Sequence, residues 1–199
     1  MKQHNVYRYI FITSLSIILL AGCDGASDKA KIPQEETLRK NGNALIVTGQ
    51  FEEAVNVFDK LIKLNPKSVS AYNGKAVAFD NTGNHLAAQD IYKTALSISP
   101  NSLLTKNNLA MSLMLNHQTK QAIQLLEPLV KNKANKNSLH YPKMCYNLAL
   151  AYALSEQHKK AAELDLPKMS KEEAEKKLSS YRKHSDDNEK QTGAENKKE

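Results

Sequence analysis

The chain has 199 residues, a formal charge of +7, 41% hydrophobic residues and only two cysteines. That length suits a single domain, and two cysteines exclude a disulfide-stapled scaffold. The positive excess is scattered through loops and the carboxyl end, which reads as solvated surface and argues against a nucleic-acid-binding protein.

The first predicted element is a signal. Lys2 and Arg8 precede an apolar run from Ile10 to Leu20, broken only by Thr13, Ser14 and Ser16. Eleven helical residues rise about 16 Å, well short of a hydrocarbon core of about 30 Å. A basic start, a short apolar middle and small residues at the end therefore make residues 1–22 a secretory signal rather than a membrane span. The plainer alternative, an ordinary signal that happens to contain a cysteine, leaves the chain secreted in either case. Leu20-Ala21-Gly22-Cys23 resembles the lipobox of bacterial lipoproteins. The resemblance implies that the Cys23 thiol takes a diacylglycerol, that the signal is cut before it, and that the new amino terminus is often acylated. Two or three acyl chains meet the requirement for stable anchoring. No cofactor is expected beyond this covalent lipid. The mature chain then has 177 residues and a side-chain charge of +5, because Lys2 and Arg8 leave with the signal. Residues 23–34 read as the lipidated cysteine and a flexible tether, DGASDKAKIP reaching about 35 Å at full extension.

From residue 35 the chain repeats itself. At a period of 34, Gly49 falls over Gly83, Pro66 over Pro100, and Ala54 over Ala88 and Ala122. Phe58, Tyr92 and Leu126 make a large-residue column. Gly42, Ala76 and Ala110 make a second small column, and Leu45, Phe79 and Leu113 a second large one. A five-residue insertion in KNKANKNSLHYP (131–142) shifts the register to 39, after which Ala149, Tyr152 and Ala161 continue the columns.

This pattern resembles the tetratricopeptide repeat, and the resemblance implies an all-α fold, a solenoid of antiparallel helix pairs. Small residues sit where paired helices cross, large ones fill the groove to the next unit, and stacking supplies the core that one pair lacks. Gly49 and Gly83 end the first helix of their pairs, and proline closes the second. The solenoid is expected over 35–183, with repeats at about 35–68, 69–102, 103–136 and 142–167. The third has His117 where the turn glycine belongs. The fourth has Asp165 in a large apolar column and Pro167 ending its second helix early. Pro128, inside the second helix of the third repeat, should kink it. Ser170-x-x-Glu173 is a capping box, and Ala174, Leu178 and Tyr181 then share one face, predicting a capping helix over 170–183 that covers the last pair. Residues 184–199 are polar, aperiodic and expected to be disordered.

Catalytic signatures are missing: there is no His-Glu-x-x-His, Gly-x-Ser-x-Gly, Cys-x-x-Cys or phosphate-binding glycine loop. No catalytic residue is expected, and the chain reads as a non-enzyme. His85, His117 and His158 fall at equivalent turns, but stacked repeats stand about 10 Å apart and zinc ligands must converge to about 2 Å from the metal, so no metal site is expected. Cys145, the one thiol left beside lipidated Cys23, could pair between chains. Its helical setting, Met144-Cys145-Tyr146, suits a small buried hydrophobe better.

What remains is a binding surface. In a tetratricopeptide array the first helices of successive pairs line an inner groove. Helical spacing puts Arg39, Asn43 and Ile46, then Asn73, Val77 and Asp80, on that face. Asn107, Asn108, Met111, Met114 and Leu115 follow, then Tyr146, Asn147, Leu150 and Leu154. The candidate partner-binding residues are Asn73, Asn107, Asn108, Met111, Met114, Tyr146, Asn147 and Leu150; the alternative is that Met111 and Leu150 pack between units and that the asparagines are structural. Amides can pair with both groups of a peptide backbone, and methionines suit an adaptable surface for a peptide or helix.

NNLAMSLMLNHQTKQAIQLLEPLV, CYNLALAYALSEQHKKAAELDLP and the final amphipathic helix resemble the tetratricopeptide lipoprotein of the tight-adherence (Tad) Flp-pilus secretion machinery. That resemblance implies an accessory assembly factor associated with the outer-membrane secretin, so a secretin or another pilus subunit is the expected protein partner. The chain is accordingly expected in the bacterial envelope, lipid-anchored and facing the periplasm. Asp24, straight after the lipidated cysteine, favours retention in the inner membrane, whereas the family reading favours the outer one. A scaffold for outer-membrane protein insertion or for peptidoglycan machinery is the competing expectation. A catalytic envelope protein is the third.

Overall fold

A computed structural model describes the backbone of residues 24–181 and the side chains from residue 33 onward. Cys23, the signal over 1–22 and the tail over 184–199 lie outside the described residues. Four helix pairs follow in chain order: α1 (Asp24–Val47) with α2 (Phe51–Leu64), α3 (Val69–Asn81) with α4 (His85–Ile98), α5 (Leu103–Leu115) with α6 (Thr119–Lys131), and α7 (Tyr141–Leu154) with α8 (His158–Glu163). A closing helix, α9, spans 171–181.

The turns explain the columns. Each first helix ends with a residue in the left-handed region: Gly49 (φ 81°), Gly83 (φ 77°), His117 (φ 59°) and Glu156 (φ 56°). Around each, the two reversed hydrogen bonds of a Schellman cap close the helix, as in Gln50 N to Leu45 O (2.9 Å) and Gly49 N to Ile46 O (3.2 Å). His117 and Glu156 therefore adopt the backbone of glycine at the same place in the repeat, a conformation that disfavours any side chain. Asp165 (φ 52°) repeats the motif after α8, with Leu166 N reaching Ala161 O at 3.0 Å. It stops that helix at six residues, before Pro167 is reached. Pro66 and Pro100 lie just past the ends of α2 and α4. Pro128 sits inside α6, and the helix runs through it to Lys131 without interruption.

The second helices of the first three pairs each bury a stripe, whereas short α8 buries none of its residues. On α2 the stripe is Phe51, Ala54, Val57, Phe58 and Leu61, at the spacing of one helical face. Phe58 is fully buried between Gly42 of α1 and Gly74 of α3. Consecutive helices from α1 to α8 pack on one another. First helices of neighbouring pairs also touch (α1 on α3, α3 on α5, α5 on α7), whereas second helices do not pack on one another comparably. The array therefore curves with its first helices on the inside. A small core centred on Phe51, Phe58 and Leu61 joins the first two pairs, and a larger one runs from Ala76 through α7 to Leu178.

The stretch expected as a tether differs from that expectation. α1 begins at Asp24 and carries Pro33 within it, because Ala26, Lys29, Ala30 and Lys31 are good helix formers and one missing N–H interrupts the ladder only locally. The insertion folds as a 3₁₀ turn, Lys133–Asn135, tied down by Asn135 Nδ2 donating to Leu129 O at 2.8 Å. Cys145 is free and half-buried against the larger core, and burial pushes its thiol up. Among the described residues no helix is long and apolar enough to cross a membrane.

Candidate binding groove

The inner face is built from α1, α3, α5 and α7, and its polar side chains divide into two sets. Asn73 is 5% exposed; its Nδ2 donates to Val69 O (2.9 Å) and to Thr105 Oγ1 (2.8 Å), which ties α3 to α5. Asn147 Nδ2 donates to Asn107 Oδ1 at 2.8 Å, tying α7 to α5, and both are 1% exposed. These three amides bond within the protein where helices of neighbouring repeats meet. A buried amide left without that bond would be strongly unfavourable. Met114 and Leu150 are fully buried as well. Asn147 and Leu150 are thus interior residues, which corrects their assignment to a partner-binding surface; Asn73 and Asn107 are buried but still line the cavities of the inner face, and Met114 is buried where Leu178 of α9 lies beside it. Helical spacing gave their direction from their own helix, but not the neighbour lying in that direction.

Asn108, Met111 and Tyr146 remain half-buried. Asn108 and Met111 line a cavity of about 200 Å³ together with Val77, Asp80, Asn81 and Leu115, and Tyr181 of α9 forms part of its wall. A second cavity, about 350 Å³, continues toward the amino terminus between α1, α3 and α5, with Arg39, Asn43, Ile46, Val77 and Leu104 around it. The two share Val77 and Asn108, so they are adjoining parts of one groove.

Asp80 organises the floor of this groove, a role that sequence spacing did not bring out. Its Oδ1 accepts from Ser112 Oγ (2.6 Å) and lies 3.0 Å from His85 Nδ1, while Tyr92 OH donates to Oδ2 at 3.2 Å. Burial raises the Asp80 carboxyl above its ordinary value, against the opposing pull of the bonds from His85 and Ser112. Tyr92 is pushed well up by its own burial and then by that carboxylate. Ser, His and Asp meet here in the wrong order for nucleophilic catalysis: the serine donates to the aspartate, and the imidazole bonds that same oxygen. The cluster joins two repeats, because Asp80, His85 and Tyr92 belong to the second pair and Ser112 to the third. The available signal was the 32-residue separation of Asp80 and Ser112, the same as that of Asn73 and Thr105.

The closing helix is placed differently from expectation. The capping box forms, with Glu173 N donating to Ser170 Oγ (3.1 Å) and Ser170 N donating to Glu173 Oε2 (2.8 Å). The helix does not simply cover α8. Leu178 lines a cavity with Met114, His117 and Leu154, and Tyr181 reaches the cavity walled by α3 and α5. α9 thus crosses the inner face from the fourth pair back toward the second.

Residues 39–102 match the family described as tetratricopeptide repeat. An uncharacterized protein of Sinorhizobium fredii is 35% identical over 78 residues, 39% of this chain and 43% of that protein. A tetratricopeptide repeat and J domain-containing co-chaperone of Cryptococcus neoformans is 26% identical over 45% of this chain and 17% of its own length. The chain therefore spans less than half the length of these relatives. Among solved structures, Pseudomonas aeruginosa pilF superposes with a TM-score of 0.60 at 20% identity, over 68% of this chain and 60% of that one. YrrB, a TPR protein with an unusual peptide-binding site, gives 0.51 at 19% identity over 64% and 63%. At those identities the likeness concerns the fold. Paired helices, left-handed turns at one place in each unit and an inner face of first helices give this chain the fold of a tetratricopeptide-repeat-like solenoid.

Proposed function

We propose that this chain is a lipid-anchored, non-catalytic adaptor that holds a segment of a partner protein in its inner groove during assembly of a Tad-type pilus and secretin machine. The observation that carries the binding part is the continuous groove over α1, α3 and α5. Half-buried apolar side chains, Val77 and Met111, alternate there with the amides of Asn43 and Asn108. The anchoring part rests on Leu20-Ala21-Gly22-Cys23 after a short apolar run. The pilus part rests on the likeness of NNLAMSLML and CYNLALAYAL, with the Asp-Leu-Pro ending, to the Tad lipoprotein. Lipid on Cys23 would hold the solenoid at the membrane surface, where a secretin subunit is also held, and so raise the effective concentration of the pair.

The test is recovery of crosslinked partners from intact cells, comparing the native chain with Cys23→Ser. The native chain is expected to stay in the membrane fraction and bring down a secretin or pilus subunit. The serine variant is expected to become soluble and lose most of that recovery. Recovery of other envelope proteins with no pilus component would overturn the pilus assignment, and membrane retention of the serine variant would overturn the anchor.

A further inference from the structure

We infer that α9 is a resident, displaceable ligand of the inner groove, and that the external partner is an amphipathic α-helix with the same small–leucine–aromatic stripe. This rests on the inner face being the binding surface, and it specifies what that surface takes.

The placement of α9 is the first argument. Eleven residues of helix are about 16 Å long, close to the two interhelix spacings of 8–10 Å that separate α7 from α3. Along that path Leu178 faces Met114 and Leu154, and Tyr181 faces Val77, Met111 and Leu115. The groove already holds a helix, at the positions i, i+4 and i+7 of one face.

The hold is shallow. Of the side chains on α9 only Ala174 and Leu178 are buried, and Tyr181 stays 44% exposed. The start of the helix is fixed by the capping box and by Lys171 Nζ on Glu156 Oε1 at 2.6 Å, both at the surface. A helix of this length is marginal by itself in water. Leu166 is buried in the larger core and stays with α8, so the connector free to move is Pro167 to Ser170, which extends to about 13 Å and lets α9 swing off the inner face.

The amides favour a helix over an extended peptide. A strand-like ligand needs a row of side chains that bond its backbone; Asn73, Asn107 and Asn147 already bond inside the solenoid, which leaves Asn43 and Asn108 of the groove amides. A helix satisfies its own backbone and asks of the groove only apolar contact. Met111, Leu115 and Leu154 offer that contact, and the cavity of about 200 Å³ beside Tyr181 leaves space for a larger aromatic ring.

The test uses a fluorescent, end-capped synthetic peptide of residues 168–183 and the full mature chain. Fluorescence anisotropy measures its binding to the native chain and to Leu178→Asp, which releases α9. The peptide is expected to bind Leu178→Asp at least about tenfold more tightly than the native chain, whose groove is occupied most of the time. The same peptide carrying Leu178→Asp is expected to bind neither. A folded Leu178→Asp chain that fails to bind the native peptide overturns the inference. Should that variant unfold, hydrogen exchange on the native chain decides. Amides of 172–181 are expected to exchange at least about tenfold faster than those of α5 and α7, and exchange at a common rate would make α9 an integral part of the core. Peptide binding without recovery of a pilus component would uphold this inference and overturn the pilus reading. Recovery of a pilus component without peptide binding would do the reverse.

Discussion

Phe58 is held between two glycines, and a methyl group added at either should be felt at once. A Cβ at Gly74 would stand 2.2 Å from Phe58 Cζ, 2.4 Å from Cε1 and 2.6 Å from Cε2. Comfortable carbon contacts are about 3.5–4.0 Å. The ring cannot retreat toward α1, because a Cβ at Gly42 would already stand 2.7 Å from the same Cζ. Helix propensity alone would make Gly74→Ala stabilising by about 1 kcal/mol. Overpacking of a rigid, fully buried ring costs about 1–3 kcal/mol or somewhat more, so we expect a net loss of about 1–2 kcal/mol. Phe58→Leu should cost about 1–2 kcal/mol through lost burial and a small cavity. In the double variant the leucine gives the methyl room, so the two losses should fall short of additivity by about 1 kcal/mol or more. Urea denaturation of the four proteins, followed by circular dichroism, measures this cycle. Repeat arrays unfold in parts, so hydrogen exchange over α2 and α3 should accompany it. A stabilised Gly74→Ala protein, or strict additivity, would refute the claim that two backbones clamp the ring.

Further consequences follow from the turns, the amides and the buried carboxyl. Gly49→Ala adds a Cβ with nothing within 4 Å of it, so its expected loss of about 1 kcal/mol comes from φ 81° alone. His117→Gly, at φ 59° in the same place of the third unit, should raise the melting temperature. Asn147→Ala removes the bond to buried Asn107 Oδ1 and should destabilise the chain by about 1–3 kcal/mol. Partner recovery by the folded fraction should not change. Asp80 titrates above its unfolded value of 3.8 when folded, so its neutral form is the one the fold favours. That stability is fully present below pH 3.8 and is lost as pH rises through the raised folded value. The stability of the native chain relative to Asp80→Asn should therefore be greater near pH 4 than at pH 7, measured by urea melts.

The repeat was legible because its constraints are local. A left-handed turn selects Gly49 and Gly83, proline marks the ends of α2 and α4, and the capping box sits directly before α9. His117 and Glu156 were readable only by register, since their residue types give no hint of φ near 60°. The groove was legible in outline and misread in detail. Asn107 and Asn108 are neighbours on one helix, yet the first is 1% exposed and the second half-buried. Which of them meets water depends on α7, whose position the helix itself does not encode. The course of α9 was hidden for a related reason. Ala174, Leu178 and Tyr181 define an apolar face, but the surface they meet depends on how soon α8 stops, and Asp165 stops it after six residues.

The central claim is that partners are held on the inner face of the solenoid. A photocrosslinking amino acid placed at Met111, in the groove, and separately at Lys93, exposed on α4 of the outer face, tests it most directly in living cells. Crosslinks from position 111 to a partner subunit, with none from position 93, are the expected result. Crosslinks to the same subunit from position 93 and none from position 111 would place recognition on the outer face and contradict the account.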